Sequence, residues 1–280
     1  MRMIEQNEIF LLQGVSYFDL ARTLDCGQCF RWRLCDDGFW EGVAAGRFCR
    51  VRQRRSVLLF TDTDRQSIRD FWIPYFSLDV DYAALCRDFR SDPVLAQAMD
   101  FAPGIRLLRQ EPWETLCSFI ISQNNHIPRI RGIIERLCAL LGEPLPGGMS
   151  SFPSPEQLAR CTLEDLAPLR SGFRAKYLLD AAQKVLCGAV DLRAIGQMDP
   201  DAAREKLTGI CGVGPKVADC VLLYAYNRTQ VVPMDVWMKR VLAVLYPDGF
   251  PKHFSPYWGI AQQFLFHYAR SHAGLLRAPL

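Results

Sequence analysis

The sequence predicts an α+β fold, with an N-terminal antiparallel sheet domain followed by helical domains carrying a helix–hairpin–helix element. Three observations predict it. Between residues 30 and 60, short apolar–polar alternations are broken by Asp-Gly punctuation. From about residue 103, apolar side chains recur instead at helical spacing. The chain has 280 residues, 50% of them hydrophobic, which is ample for one large domain or two to three small ones. The expected division is 1–102, a sheet with covering helices, and 103–280, the helical part.

Residues 30–34 alternate apolar and charged, Asp36-Asp37-Gly38 turns the chain, and 39–43 resume the pattern. Residues 49–52 and 57–60 complete a meander, and 64–76 reads as a helix covering one of its faces. Trp113 to Ile121 is apolar and helical. Ile130, Ile133, Ile134, Leu137, Leu140 and Leu141 then mark one face of a helix that Gly142 and a Pro/Gly-rich run to Pro155 bring to an end. Thr162-Leu163-Glu164-Asp165 reads as a capped short helix. Further helices are expected at 174–187, 201–208, 215–226, 236–246 and 256–272. The sequence has no internal repeat and no low-complexity segment.

Composition excludes several classes. No apolar run approaches the ~18 residues that span a bilayer, and the first eight residues carry acids where a secretion signal carries an apolar stretch. Eleven scattered cysteines, several inside apolar helical patterns (Cys117, Cys138, Cys187, Cys220), point to a reducing cytoplasm or nucleus without a disulfide framework. The net charge is only +3. Residues 1–100 hold 13 basic and 15 acidic side chains, and 101–280 hold 20 and 15, so the positive excess lies in the helical part. That distribution permits a nucleic-acid groove.

The most informative stretch runs from Leu207 to Cys220, Leu-Thr-Gly-Ile-Cys-Gly-Val-Gly-Pro-Lys-Val-Ala-Asp-Cys. A helix ends near Gly209, Gly212 and Gly214 frame a tight turn, and Pro215 begins a new helix, about 203–226 in all. The free backbone N–H groups of such a turn suit a phosphate. Lys216 falls in the first turn of the second helix, at the positive end of its dipole, which disfavours a protonated ammonium. A neutral amine there can form a Schiff base; the plain alternative is a surface lysine paired with Asp219. Cys220, four residues on, shares the face of Lys216, and core packing is its alternative. Asp235 precedes a clear helix, and as its N-cap would accept backbone N–H bonds that favour the anion. A fixed anion near an activated lysine suits an oxocarbenium centre.

The hairpin string resembles that of the DNA glycosylase superfamily. With Lys216 and Asp235, the chain is similar to the 8-oxoguanine DNA glycosylase/AP lyases over roughly residues 10–272. Separate stretches carry the likeness: Gly27 to Trp32, Gly104 to Gln110, Ser122 to Arg129, Gly172 to Tyr177, Val232 to Val236 and Ala261 to Phe266. The resemblance implies a partner, double-stranded DNA containing 8-oxoguanine, whose damaged nucleotide is flipped out of the stack. It implies that Lys216 attacks C1′ while Asp235 stabilises the sugar's positive charge, followed by β-elimination, with no cofactor. It implies that the Gly27 carbonyl reads the hydrogen on N7 of the lesion. Cys220 and Phe266 would sandwich the base and Gln262 would bond its pyrimidine edge. Asn124, Arg129 and Arg174 would hold the orphaned cytosine while Phe173 wedges the gap. Trp237 stands where animal members have a histidine near a phosphate, and Phe173 where they have tyrosine; Gln123 and His126 also depart from the family's usual run.

Three rivals remain. A glycosylase for alkylated bases typically lacks the hairpin lysine. A purely DNA-binding hairpin module leaves Asp235 and the base-pocket motifs without a role. A metal site at Cys26-Gly27-Gln28-Cys29 lacks a second ligand pair. The expectation is a metal-free, membrane-free monomer.

Overall fold

The computed structural model describes residues 1–272 and residue 274. Its sheet has six antiparallel strands: β1 (Arg2–Gln6), β2 (Ile9–Gln13), β3 (Trp32–Leu34), β4 (Trp40–Ala44), β5 (Arg47–Arg54) and β6 (Val57–Thr61). Their order is β1-β2-β6-β5-β4-β3. The expected meander is β3 to β6. The N-terminal hairpin of β1 and β2 adds to it and was not anticipated. β2 places Phe10 opposite Phe60 and Leu12 opposite Leu58, so its register depends on a strand some fifty residues away.

Residues 65–75 cover the sheet, as the alternation implied, but not as one regular helix. A helical turn (Arg65–Ser67), a π-helical turn (Ile68–Trp72) and another helical turn (Ile73–Tyr75) follow one another. They lay Ile68, Trp72 and Phe76 on Trp32, Val51, Leu58 and Phe60, all buried. The Trp32 indole N–H donates to the Tyr75 hydroxyl at 2.9 Å, which satisfies both buried polar groups.

The second core is helical. It joins Pro112–Ser122, Ile127–Leu141, Arg174–Leu186, Pro200–Thr208, Pro215–Tyr224, Val236–Leu245 and Trp258–Ser271. Two helices before residue 102, Tyr82–Phe89 and Pro93–Phe101, also bury Tyr82, Phe89, Leu95 and Met99 in it. Conversely, Leu108 packs in the sheet core. The division between the two cores therefore does not follow the 102/103 boundary: Cys26, Phe30 and Tyr82 to Met99 enter the helical core and Leu108 the sheet core, and chain order carries no record of which core an apolar face enters.

Two other readings need correction. Residues 162–165 form a turn, not a helix. Thr162 and Asp165 do bond reciprocally, with Asp165 N–H donating to Thr162 Oγ1 at 3.2 Å, but only a short 3-10 turn (Ala167–Leu169) follows. The last helix starts at Trp258, preceded by a 3-10 stretch (Lys252–Tyr257), because Pro256 cannot supply a helical N–H.

Between the two cores lies a seam, and it fixes the position of residue 27. Gln28 is fully buried. Its carboxamide N–H groups donate to Thr23 O (2.9 Å) and Arg106 O (2.8 Å), while its Oε1 accepts from Leu108 N–H at 2.9 Å. Its backbone carbonyl accepts from Gln110 Nε2 at 2.8 Å. Arg106 donates in turn to the carbonyls of Ser16, Tyr17, Ser77 and Val80. Every hydrogen-bonding group of the Gln28 side chain is thus used, which holds the 26–29 loop between sheet and helices.

Candidate active site

The hairpin forms as its residues dictate. Pro200–Thr208 and Pro215–Tyr224 each start with proline at the first turn. Between them only Gly212 needs left-handed backbone, with φ +77°, and a Cβ there would strike the Tyr177 ring. Gly209 and Gly214 have ordinary right-handed or extended angles; at Gly214 a Cβ would meet open space. The turn docks on the helix Arg174–Leu186. Asp180 accepts the Cys211 N–H at 2.6 Å, and Lys184 Nζ donates to Gly209 O at 2.7 Å. Among the described residues, the N–H groups of Gly212 and Gly214 have no protein acceptor.

Lys216 is half-buried, the second residue of its helix. It does not pair with Asp219. That buried carboxylate instead accepts from Arg204 Nε at 2.6 Å, across the hairpin. The Lys216 ammonium lies over the face of Phe119, with Nζ 5.3 Å from the ring centroid. Phe119 is held by stacking on Tyr224 (5.2 Å, 9°) and by an edge contact with Phe30. Cys220, one turn along, is buried. Burial pushes its thiol up to about 11, against the pull of the neighbouring Lys216 ammonium, so it stays protonated at neutral pH.

Asp235 is the N-cap of Val236–Leu245, and its carboxylate accepts the Met238 N–H at 2.8 Å. Its charge adds to the burial-driven rise of both the Cys220 thiol and the Tyr224 hydroxyl on the lysine's helix. Among the described residues no ion pair joins it to Lys216. Trp237 follows in the first turn, half-buried against the core.

The other expected pocket residues stand on the last helix and on the 26–29 loop. Gln262 is buried, not on a solvated face, and its Oε1 has no hydrogen-bond partner among the described residues. Phe266, one turn on, is half-buried against the same core. Gly27 adopts φ +91°, and the position of a Cβ on it lies 3.4 Å from Ile127 Cδ1. Its neighbour Cys26 accepts from Gln263 Nε2 at 3.2 Å, and Gln263 Oε1 accepts from the Tyr224 hydroxyl at 2.8 Å. This relay ties the Gly27 loop to the helix of Lys216 and Cys220. Phe119, Tyr224 and Gln263 were missed from sequence. One signal was available: Lys216, Cys220 and Tyr224 are spaced by four and form a single stripe.

The residues expected to meet the opposite strand form a separate group. Asn124 is exposed and left-handed, φ +46°. Arg129 is exposed in the first turn of Ile127–Leu141, and its Nη2 approaches Arg170 O at 3.5 Å. Phe173 is exposed, with the Arg174 guanidinium 4.4 Å over its ring. Arg174 differs from the others. It is buried, and it donates to the carbonyls of Gln123, Asn124 and Ser171. Four of its five N–H groups are engaged, so it clamps the 123–124 loop. Burial, with Arg129 nearby, pulls its basicity down.

Two family descriptions match consecutive parts of the chain. The N-terminal domain of 8-oxoguanine DNA glycosylase matches residues 11–116, and the HhH-GPD superfamily of base excision DNA repair proteins matches 117–249. An N-glycosylase/DNA lyase of Saccharomyces cerevisiae is 33% identical over 251 residues, covering 79% of this chain and 66% of its own length. Among solved structures, MBOgg1 in complex with a low-affinity DNA ligand superposes with TM-score 0.93 at 40% identity, over 97% of this chain and 99% of that one. The Clostridium acetobutylicum 8-oxoguanine glycosylase/lyase, bound to double-stranded DNA with cytosine opposite 8-oxoG, gives TM-score 0.92 at 34% identity, over 98% and 99%. These two family matches, together with solved relatives 34–40% identical over nearly the whole chain, place the chain as a DNA glycosylase/AP lyase belonging to the 8-oxoguanine DNA glycosylase family.

Proposed function

We propose that this enzyme excises 8-oxoguanine from duplex DNA, preferably opposite cytosine, and then nicks the strand through a Schiff base on Lys216. The observation that carries the reading is the arrangement around Lys216. A half-buried amine lies over Phe119, one helical turn from a neutral thiol, and among the described residues no acid pairs with it. Once the Lys216 ammonium has shed a proton, the amine attacks C1′ of the flipped nucleotide, and the N-glycosidic bond breaks toward the base, which takes up a proton as it leaves. Asp235, held by its bond to the Met238 N–H, stabilises the positive charge that develops on the sugar. The sugar ring opens to a Schiff base. Loss of a C2′ proton then expels the 3′ phosphate and leaves the strand nicked on that side.

The base would lie between Cys220 and Phe266. Gln262 Oε1, buried without a partner, is an acceptor suited to the amino and imino hydrogens of guanine's pyrimidine edge. The Gly27 carbonyl would accept the N7 hydrogen that guanine lacks, and guanine would leave it facing a lone pair. Across the duplex, Arg129 and Asn124 offer donors to cytosine O2 and N3, Phe173 fills the vacated stack, and Gly212 and Gly214 offer N–H groups to a phosphate. Trp237 would offer its indole N–H to a phosphate of the flipped nucleotide. The enzyme would act as a monomer, needing no metal for these steps.

The test is borohydride trapping on a labelled duplex with 8-oxoguanine opposite cytosine. The native enzyme is expected to give a covalent adduct and Lys216→Gln none. Equal trapping by both would reject the assignment.

A further inference from the structure

We propose that Arg270 is a further base-recognition residue, donating a hydrogen bond to the C8 oxygen of the flipped 8-oxopurine. This rests on the base pocket described above. Two independent contacts place the side chain. Arg270 stands four residues after Phe266 on the helix Trp258–Ser271, and its guanidinium carbon lies 5.6 Å from the Phe266 ring centroid. Across the seam, its Nη1 lies 3.5 Å from the position of a Cβ on Gly27. The guanidinium therefore occupies the corner where the stacking ring and the carbonyl-bearing loop meet. Ile127 Cδ1, 3.4 Å from that same Gly27 position, adds an apolar neighbour. A cation in this corner is also felt by His267, whose imidazole is held below its usual range by burial first and then by Arg270 and Arg22.

The chemistry of the lesion gives this corner its meaning. 8-Oxoguanine differs from guanine at two adjacent atoms: N7 gains a hydrogen and C8 gains a carbonyl oxygen. A backbone carbonyl reads the first change and a cationic donor beside it reads the second. Guanine offers neither and would leave the donor facing a C–H. A charge-assisted bond of this kind is stronger than a neutral one. It strengthens further as the glycosidic bond breaks, because negative charge then spreads over the departing base and its C8 oxygen.

The experiment compares the native enzyme with Arg270→Leu and Arg270→Lys in three assays. These are single-turnover excision of 8-oxoguanine opposite cytosine, nicking of the same duplex carrying a preformed abasic site, and affinity for that abasic duplex. Arg270→Leu is expected to slow excision about tenfold or more, the scale of one charge-assisted hydrogen bond. Nicking and abasic-duplex affinity, which involve no base, should stay at the native level, and Arg270→Lys should restore part of the excision rate. A parallel fall in all three would show a phosphate contact and overturn the inference. No change in any would show a solvated side chain and overturn it equally. A native enzyme inert on 8-oxoguanine but active on abasic sites would instead reject the underlying substrate reading.

Discussion

Lys216, Cys220, Gln262 and Phe266 stand on helices whose other faces lie in the helical core, and all four are themselves buried or half-buried. Asn124, Arg129 and Phe173 stand on a loop or in a helix's first residues and are exposed. The difference teaches how each surface keeps its shape. The proposed pocket wall is fixed by packing, because Phe119, Tyr224 and Gln263 are locked by stacking and a buried hydrogen bond. The proposed opposite-strand face is fixed by one buried cation: Arg174 ties the 123–124 turn, left-handed at Asn124, to Ser171 and so holds Asn124 in place. A substitution in the wall should therefore alter chemistry, whereas one in the exposed face should alter partner choice and leave the fold intact. Arg174 is the exception.

The largest expected effect breaks the wall. Lys216→Gln should lower base excision by at least ~10³-fold, the scale of losing a nucleophile, while keeping duplex affinity in a binding titration. Asp235→Asn should come next. Asparagine still caps the helix, so thermal stability should hold, yet excision should fall by ~10²-fold or more because the anion is gone. A matched fall in melting temperature and rate would mean that the residue is only a cap.

The two arginines sharpen the comparison. Arg174→Ala leaves buried carbonyls of Gln123 and Ser171 without donors and should destabilise the fold by about 2–4 kcal/mol in denaturant titration. Arg129→Ala should change stability by no more than about 0.5 kcal/mol and instead shift the excision ratio among lesions opposite C, A, G and T. Unfolding by Arg129→Ala but not by Arg174→Ala would mean that Arg129, not Arg174, holds this face together.

Glu114 tests the floor of the wall, since it lies on the helix that carries Phe119. Burial raises its carboxyl to about 7, opposed by Arg31 at 3.5 Å, with Glu111 adding to the rise. A folded-state value above the unfolded 4.5 means that proton binding favours the fold. That contribution is complete below pH 4.5 and lost as pH rises through 7. Stability should therefore decline by about 2–3 kcal/mol across this window in the native enzyme. Glu114→Gln, which has no proton to lose, should show a flatter profile there. The smallest effect is expected at Phe173. Phe173→Ala should leave the melting temperature unchanged and weaken duplex binding by roughly tenfold, the scale of one lost stacking contact.

Part of this was legible because local rules decide it. Pro215 at a helix start, Asp235 as a cap and the Lys216–Cys220 spacing follow from residues within four positions of each other. The β3-to-β6 meander followed from alternation and close turns. β2 was missed because its partner is β6, and residues 162–165 because a reciprocal side-chain bond resembles a cap even where no helix propagates. Arg174 looked like a surface charge because no local pattern records burial.

By itself, the sequence determined the two-part order of sheet and helices, the hairpin turn and the placement of an amine and a carboxylate at two helix starts, since these rest on backbone geometry and short-range bonds. Only the tertiary structure decided which residues surround that amine. The Gly27 loop meets the final helix across more than two hundred residues of chain through Cys26 and Gln263, and such contacts arise from the joint packing of two cores, which no stretch of sequence encodes alone.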